Sequence, residues 1–144
     1  MGTYKQATVT GEVTEGLRKL VSGILVTDNT TLTIADAGQT VNVGTDAKTV
    51  TLPAIDAGNL GMKFRFRNVG ADGAVKLNIS PASTDSINGT IANAAADSVA
   101  SGVVNKDFAN TKATANNGDW VELEAVALTK WYINGGVGIW ASEA

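Results

Sequence analysis

Any acid–base catalysis by this chain would rest on its fourteen carboxylates, because its 144 residues include neither histidine nor cysteine. The Ser-His-Asp and Cys-His mechanisms are therefore excluded, as are disulfides and cysteine-bound zinc. The commonest general base and metal ligand is missing too. A glycosidase needs two carboxyl groups about 5–10 Å apart across a cleft. Glu122 and Glu124 stand two apart in a stretch that reads as a strand, so their side chains share one face. A solvated strand face meets the same description. Trp120 opens that stretch and offers either a sugar platform or an apolar anchor for a core or subunit contact.

Asp36, Asp46 and Asp56 recur at ten-residue intervals, each beside turn residues. Aspartate favours turns because its carboxylate bonds nearby backbone amides. A shared calcium site would need several oxygens converging from these loops, and the EF-hand spacing is absent. Lys63, Arg65 and Arg67 alternate with Phe64 and Phe66. A nucleic-acid groove interleaves cations with aromatic rings on one surface, whereas here the rings point the opposite way. The cations then form a solvent face or an ion-pairing surface toward a neighbouring subunit. Near the C-terminus Trp131 and Ile133 share one face of an extended segment, and Tyr132 takes the other, free for a partner or a loop. No phosphate-binding loop, dinucleotide fingerprint or nucleophile elbow is present.

The elements that would carry these side chains are strands. Period-two alternation runs through Thr31–Ile34, Thr40–Val43, Lys48–Leu52, Met62–Val69 and Val75–Ile79. It puts Val50, Leu52, Met62, Phe64, Phe66 and Asn68 inward. Breaks fall at Asp36-Ala37-Gly38, Gly44-Thr45-Asp46, Pro53, Asp72-Gly73 and Ser80-Pro81. Ser86–Gly89 reads as a further turn, residues 90–100 as a long surface loop, and Val103–Lys112 as holding one strand. Strands follow at Trp120–Leu128, at Lys130–Asn134, closed by Gly135-Gly136, and at Val137–Trp140. Short strands spaced about ten residues apart indicate an all-β sandwich or barrel. Val21–Val26 fits a helix or a strand equally. Ala7, Val9, Gly11 and Val13 alternate with Thr8, Thr10, Glu12 and Thr14, as an arm on another subunit or a plain edge strand would.

The bulk numbers agree. Only 17% of residues are charged and the net charge is −3, so a nucleic-acid partner has no electrostatic support. No apolar run approaches the ~20 residues that span a bilayer, so no membrane partner is expected. The N-terminal residues lack the apolar region of a signal peptide. Synthesis in a cytoplasm is the expectation.

One resemblance emerges. Leu32–Gly38, Val41, Thr49–Ala54, Gly58 and Phe64–Asn68, then Val75–Ala82, Asp85–Gly89 and Lys130–Ile133, resemble the capsid decoration (cement) proteins of tailed bacteriophages, and related modules of tail fibres and tailspikes. The pattern covers roughly residues 30–140. The resemblance implies an all-β, jelly-roll-like antiparallel sandwich over residues 30–144, with residues 1–29 as an N-terminal arm. It implies a homotrimer on the outside of a virion, bound to the major capsid protein where shell subunits meet, without cofactor, metal or catalysis. A chain that ends at its last strand fits a stand-alone decoration protein better than a longer fibre. The candidate interface residues are Tyr4, Lys5, Val9, Val13, Arg65, Arg67 and Tyr132. The alternative is a receptor- or carbohydrate-binding module of a fibre or tailspike.

Overall fold

A computed structural model describes residues 23–144. Twelve strands carry the fold: β1 (Ile24–Val26), β2 (Thr30–Thr31), β3 (Thr40–Val43), β4 (Lys48–Thr51), β5 (Lys63–Asn68), β6 (Leu77–Ser80), β7 (Ser86–Ile91), β8 (Ser98–Val104), β9 (Phe108–Asn110), β10 (Trp120–Ala127), β11 (Lys130–Val137) and β12 (Trp140–Ser142). Among the described residues helix is confined to two single 3-10 turns, Ile34–Asp36 and Lys112–Thr114. No helix among the described residues is long and apolar enough to cross a membrane.

The all-β expectation holds; the antiparallel one does not. A seven-stranded sheet runs β1-β3-β5-β10-β11-β7-β8 and a five-stranded sheet runs β12-β9-β6-β4-β2. Both are mixed. The first six strands alternate strictly between the sheets, so β1, β3 and β5 pair in parallel in one and β2, β4 and β6 in the other. The reason is geometric. A strand that arches to the other layer and then returns arrives beside its predecessor, running in the same direction. Hairpin-like antiparallel pairing begins only at β7–β8 and recurs at β10–β11.

Residues from both sheets share one apolar core. Val26, Val41, Val43, Phe64, Phe66, Leu123 and Trp131 come from the larger sheet; Val50, Leu77, Ile79, Phe108 and Trp140 come from the smaller. Met62, Phe64, Phe66 and Asn68 are all buried, as their alternation requires. The rings of Phe108 and Trp140 stack at 5.5 Å, and Phe64 lies 5.9 Å from Trp131.

Several local expectations are corrected. Ile34 leaves the strand and faces solvent, because the Asp36 carboxylate accepts the Thr33 N–H at 2.8 Å and closes a tight turn. Ser86–Gly89 is not a turn but the first part of β7. Asn88 spends its amide on the Trp131 carbonyl, and Gly89, at φ +114°, lets the chain pass Ile133. The supposed loop over residues 90–100 contains the β7–β8 hairpin, pinned where Asn93 N–H donates to Asp97 Oδ1 at 3.2 Å. β11 does not stop at Gly135-Gly136 but runs on to Val137. There a Cβ at Gly136 would lie 2.8 Å from the Ile91 side chain and 2.9 Å from the Trp120 carbonyl. Finally, Ile24–Val26 is a strand of the larger sheet, although the sequence-based division grouped it with the N-terminal segment.

Candidate interaction surface

The chemistry-bearing side chains meet on the outer face of the seven-stranded sheet. Inward Phe64 and Phe66 force Lys63, Arg65 and Arg67 outward, and inward Val121 and Leu123 do the same for Trp120, Glu122 and Glu124. Register then sets the neighbours. One row crosses the sheet as Leu25, Asn42, Arg67, Trp120 and Val137. A second runs through Thr40, Arg65 and Glu122. A third joins Lys63, Glu124, Tyr132 and Asn88.

The centre of this face is internally paired. Arg65 meets Glu122 at 3.5 Å and Lys63 meets Glu124 at 3.6 Å. Exposed pairs of this kind contribute about 0.2–1 kcal/mol each. The Asn134 amide donates to Glu124 at 2.9 Å and to Glu122 at 3.5 Å. The Arg65 guanidinium sits 4.4 Å from the centroid of the Trp120 ring, a cation–π contact that holds the indole against the sheet. The Asn134 hydrogen bond, with Lys63 beside it, holds the Glu124 carboxyl below the usual range. A glycosidase acid needs the opposite shift, and these glutamates lie on an open face rather than across a cleft.

Two of the expected interface residues stay available. Arg67 makes no ion pair among the described residues. Tyr132 is 36% exposed while its neighbour Trp131 is completely buried, which is the division that their alternation required. Tyr4, Lys5, Val9 and Val13 lie outside the described residues. Sequence reasoning missed Asn134, because a register shift between Glu122 and Leu123 brings it opposite the glutamates, and no local pattern signals that shift.

The three recurrent aspartates serve their own loops. Asp36 caps its 3-10 turn. Asp46 accepts the Lys76 N–H at 2.9 Å and pairs with Lys112. Asp56 accepts the Gly58 N–H at 2.7 Å. Among the described residues no three acidic groups converge to hold a metal ion. On the smaller sheet a shallow depression of about 230 Å³ lies over Asn78, Asp107, Ala109 and Glu143.

These carboxylates predict a pH response. The hydrogen bond from Lys112 lowers the Asp46 pKa below 3.8, the Asn29 N–H does the same for Asp28, and Glu124 falls below 4.5. A depressed folded-state pKa contributes stability above the unfolded value, and that stability disappears as pH falls through the folded one. The thermal midpoint is expected to be level from about pH 8 to about pH 5 and to drop below about pH 4. Asp46→Asn should shallow that acid limb. Identical limbs in the variant and the parent would remove Asp46 from the explanation.

No protein-family model matches the chain, and no curated protein is significantly similar to it, so a functional reading rests on this surface and on the strand-and-turn pattern.

Proposed function

We propose that the chain is a structural, non-catalytic protein that attaches as a homotrimer to the outer surface of a bacteriophage capsid and stabilises the shell. The observation that carries this reading is the outer face of the larger sheet. It is open and paired at its centre, but it leaves Arg67 and Tyr132 for a partner and flanks them with exposed Leu25, Val126 and Val137. Arginine and tyrosine ringed by near-neutral contacts are the usual anchors of protein interfaces. The jelly-roll description belongs to this reading as well, and the antiparallel pairs β7–β8 and β10–β11 are its support.

The mechanism is binding alone. A contact burying about 1,000 Å² or more gives a specific attachment. Three such contacts on one trimer add avidity without any one of them being tight. Purified protein mixed with undecorated shells and imaged is expected to add density at local symmetry axes. Arg67→Glu should abolish that density and leave the fold intact. Bare shells at saturating protein would refute the proposal.

A second reading is a carbohydrate-binding module of a fibre or tailspike, favoured by Trp120 and Tyr132 sharing a face with Glu122, Glu124 and Asn134. Arg65 already covers the indole, which counts against sugar stacking. Binding to a glycan array, with no affinity for shells, would select this reading instead.

A further inference from the structure

Charge is divided unevenly over the molecule. The seven strands of the larger sheet carry six charged residues, Lys63, Arg65, Arg67, Glu122, Glu124 and Lys130, and buried strand neighbours turn each of them outward. That one face therefore holds four of the eight cations of the described residues but only two of their twelve carboxylates. The smaller sheet and the loops hold the other four cations against ten carboxylates. Residues 1–22 add three cations and two glutamates. Even with both glutamates laid against it, the outer face would be no worse than neutral, on a chain whose net charge is −3. The sign of the asymmetry does not depend on them.

Two of the four cations are matched locally, Lys63 by Glu124 and Arg65 by Glu122. Arg67 and Lys130 are the surplus, and they stand at opposite corners of the face. Arg67 lies beside Trp120, which pairs with Val137 at the end of β11, whereas Lys130 opens β11 beside Ala127. Seven residues of rise at about 3.3 Å and two strand spacings of about 4.8 Å separate them by roughly 25 Å. That is well beyond the screening length of about 10 Å at 0.1 M salt, so the two corners act as independent charges.

We propose that this face docks on an acidic protein surface of the shell, which presents carboxylates to Arg67 and Lys130 at a spacing of roughly 25 Å. The proposal rests on the shell-binding reading and adds the chemistry of the partner. The planar fork of Arg67 suits a carboxylate bidentately, and Lys130 supplies a point charge. A second copy of this chain fits less well. Each of the ten carboxylates outside the face already accepts a hydrogen bond within its own chain. Nucleic acid fits less well too, because two surplus cations release few counterions and Phe64 and Phe66 are buried away from the cations.

The test follows association of the full-length protein with undecorated shells in about 50 mM and about 500 mM sodium chloride. The association rate is expected to fall at least about ten-fold across that range, as steering by opposite charge requires. Lys130→Glu should slow low-salt association about five-fold or more, and its difference from the parent should shrink at high salt. Lys76→Glu makes the same change in net charge, but Lys76 borders the depression on the smaller sheet. Its rate should stay within about two-fold of the parent. Thermal unfolding checks that both variants fold, and the salt series of the unmodified protein stands without them. A rate indifferent to salt, or equal losses in the two variants, would overturn the acidic partner and leave shell attachment standing. A trimer that comes apart in Lys130→Glu would place a second copy on this face and overturn it as well. Shells left bare at both salts would instead remove the shell reading, and the acidic partner with it.

Discussion

Gly138→Ala is expected to destabilise the protein by about 4 kcal/mol or more, through strain and the loss of buried hydrogen bonds. Two costs coincide there. Gly138 sits at φ +104°, where an L side chain is strained, and an added Cβ would lie 2.3 Å from Cγ of Asp119. Asp119 cannot simply step aside. It is 4% exposed, and its Oδ2 accepts the Asn110 amide at 3.0 Å and the Asn116 N–H at 3.0 Å. Asn110, fully buried, also donates to the Ile139 carbonyl at 3.1 Å and accepts from Asn68 at 2.8 Å. Asn68 in turn holds the Val75 carbonyl at 2.9 Å and the Gly70 N–H at 3.0 Å.

That network ties β5 and the turn leading into β10 to β9 of the other sheet, so displacing one member strands several desolvated polar groups. A domain of this length has about 5–15 kcal/mol in total, and the thermal midpoint should fall by about 13 °C or more. The comparison is Gly61→Ala. Gly61 has φ +88°, but nothing lies within 4 Å of an added Cβ, so backbone strain alone should cost about 1 kcal/mol. Equal losses in the two variants, measured by denaturant unfolding, would show that the Asp119 contact contributes nothing.

Neither Asn110 nor Asp119 was identifiable as a core residue from the sequence. Asp119 ends an Asn-Asn-Gly-Asp run of the kind that marks surface turns, Asn110 is a lone polar residue between Ala109 and Thr111, and only the pairing of β9 between β6 and β12 brings Asn110 under the β5 end. Alternation was legible wherever one face is buried, because register there is fixed by burial. Val50, Leu52, Phe64 and Phe66 all fell on the expected side. Layer assignment was not legible. Asp72-Gly73 has the chemistry of a hairpin turn, yet it connects β5 in one sheet to β6 in the other, with the Gly73 N–H bound to the Ala115 carbonyl. Turn residues supply a change of direction without specifying whether the next strand returns beside the last or arches across the core. Asn88-Gly89 misled for a related reason. The same dipeptide that closes a hairpin also lets a strand approach its neighbour closely, and here Gly89 does the second.

Trp131→Ala and Tyr132→Ala, one residue apart, are expected to fail in opposite ways. Trp131 is fully buried, and its strand neighbours Ala125 and Ile87 and the nearby Phe64 ring leave no route for the core to collapse around its loss. Truncating a buried tryptophan costs about 3–5 kcal/mol, so the unfolding midpoint should fall steeply, with Trp131→Phe milder because it keeps most of the ring. Tyr132 points away from that core, beside Glu124 and Asn88 on the outer face. Its removal should leave unfolding within about 0.5 kcal/mol of the parent. If this face is the attachment surface, the same change removes an anchor worth about 2 kcal/mol, and affinity for shells should drop more than ten-fold. The pair separates fold from function in one experiment. Trp131→Ala should lose attachment only as far as it loses folded protein, whereas Tyr132→Ala should lose attachment at full stability. A Tyr132→Ala protein that decorates shells like the parent would move the contact off this face, and the alternation of the two side chains would then have been a fact about packing alone.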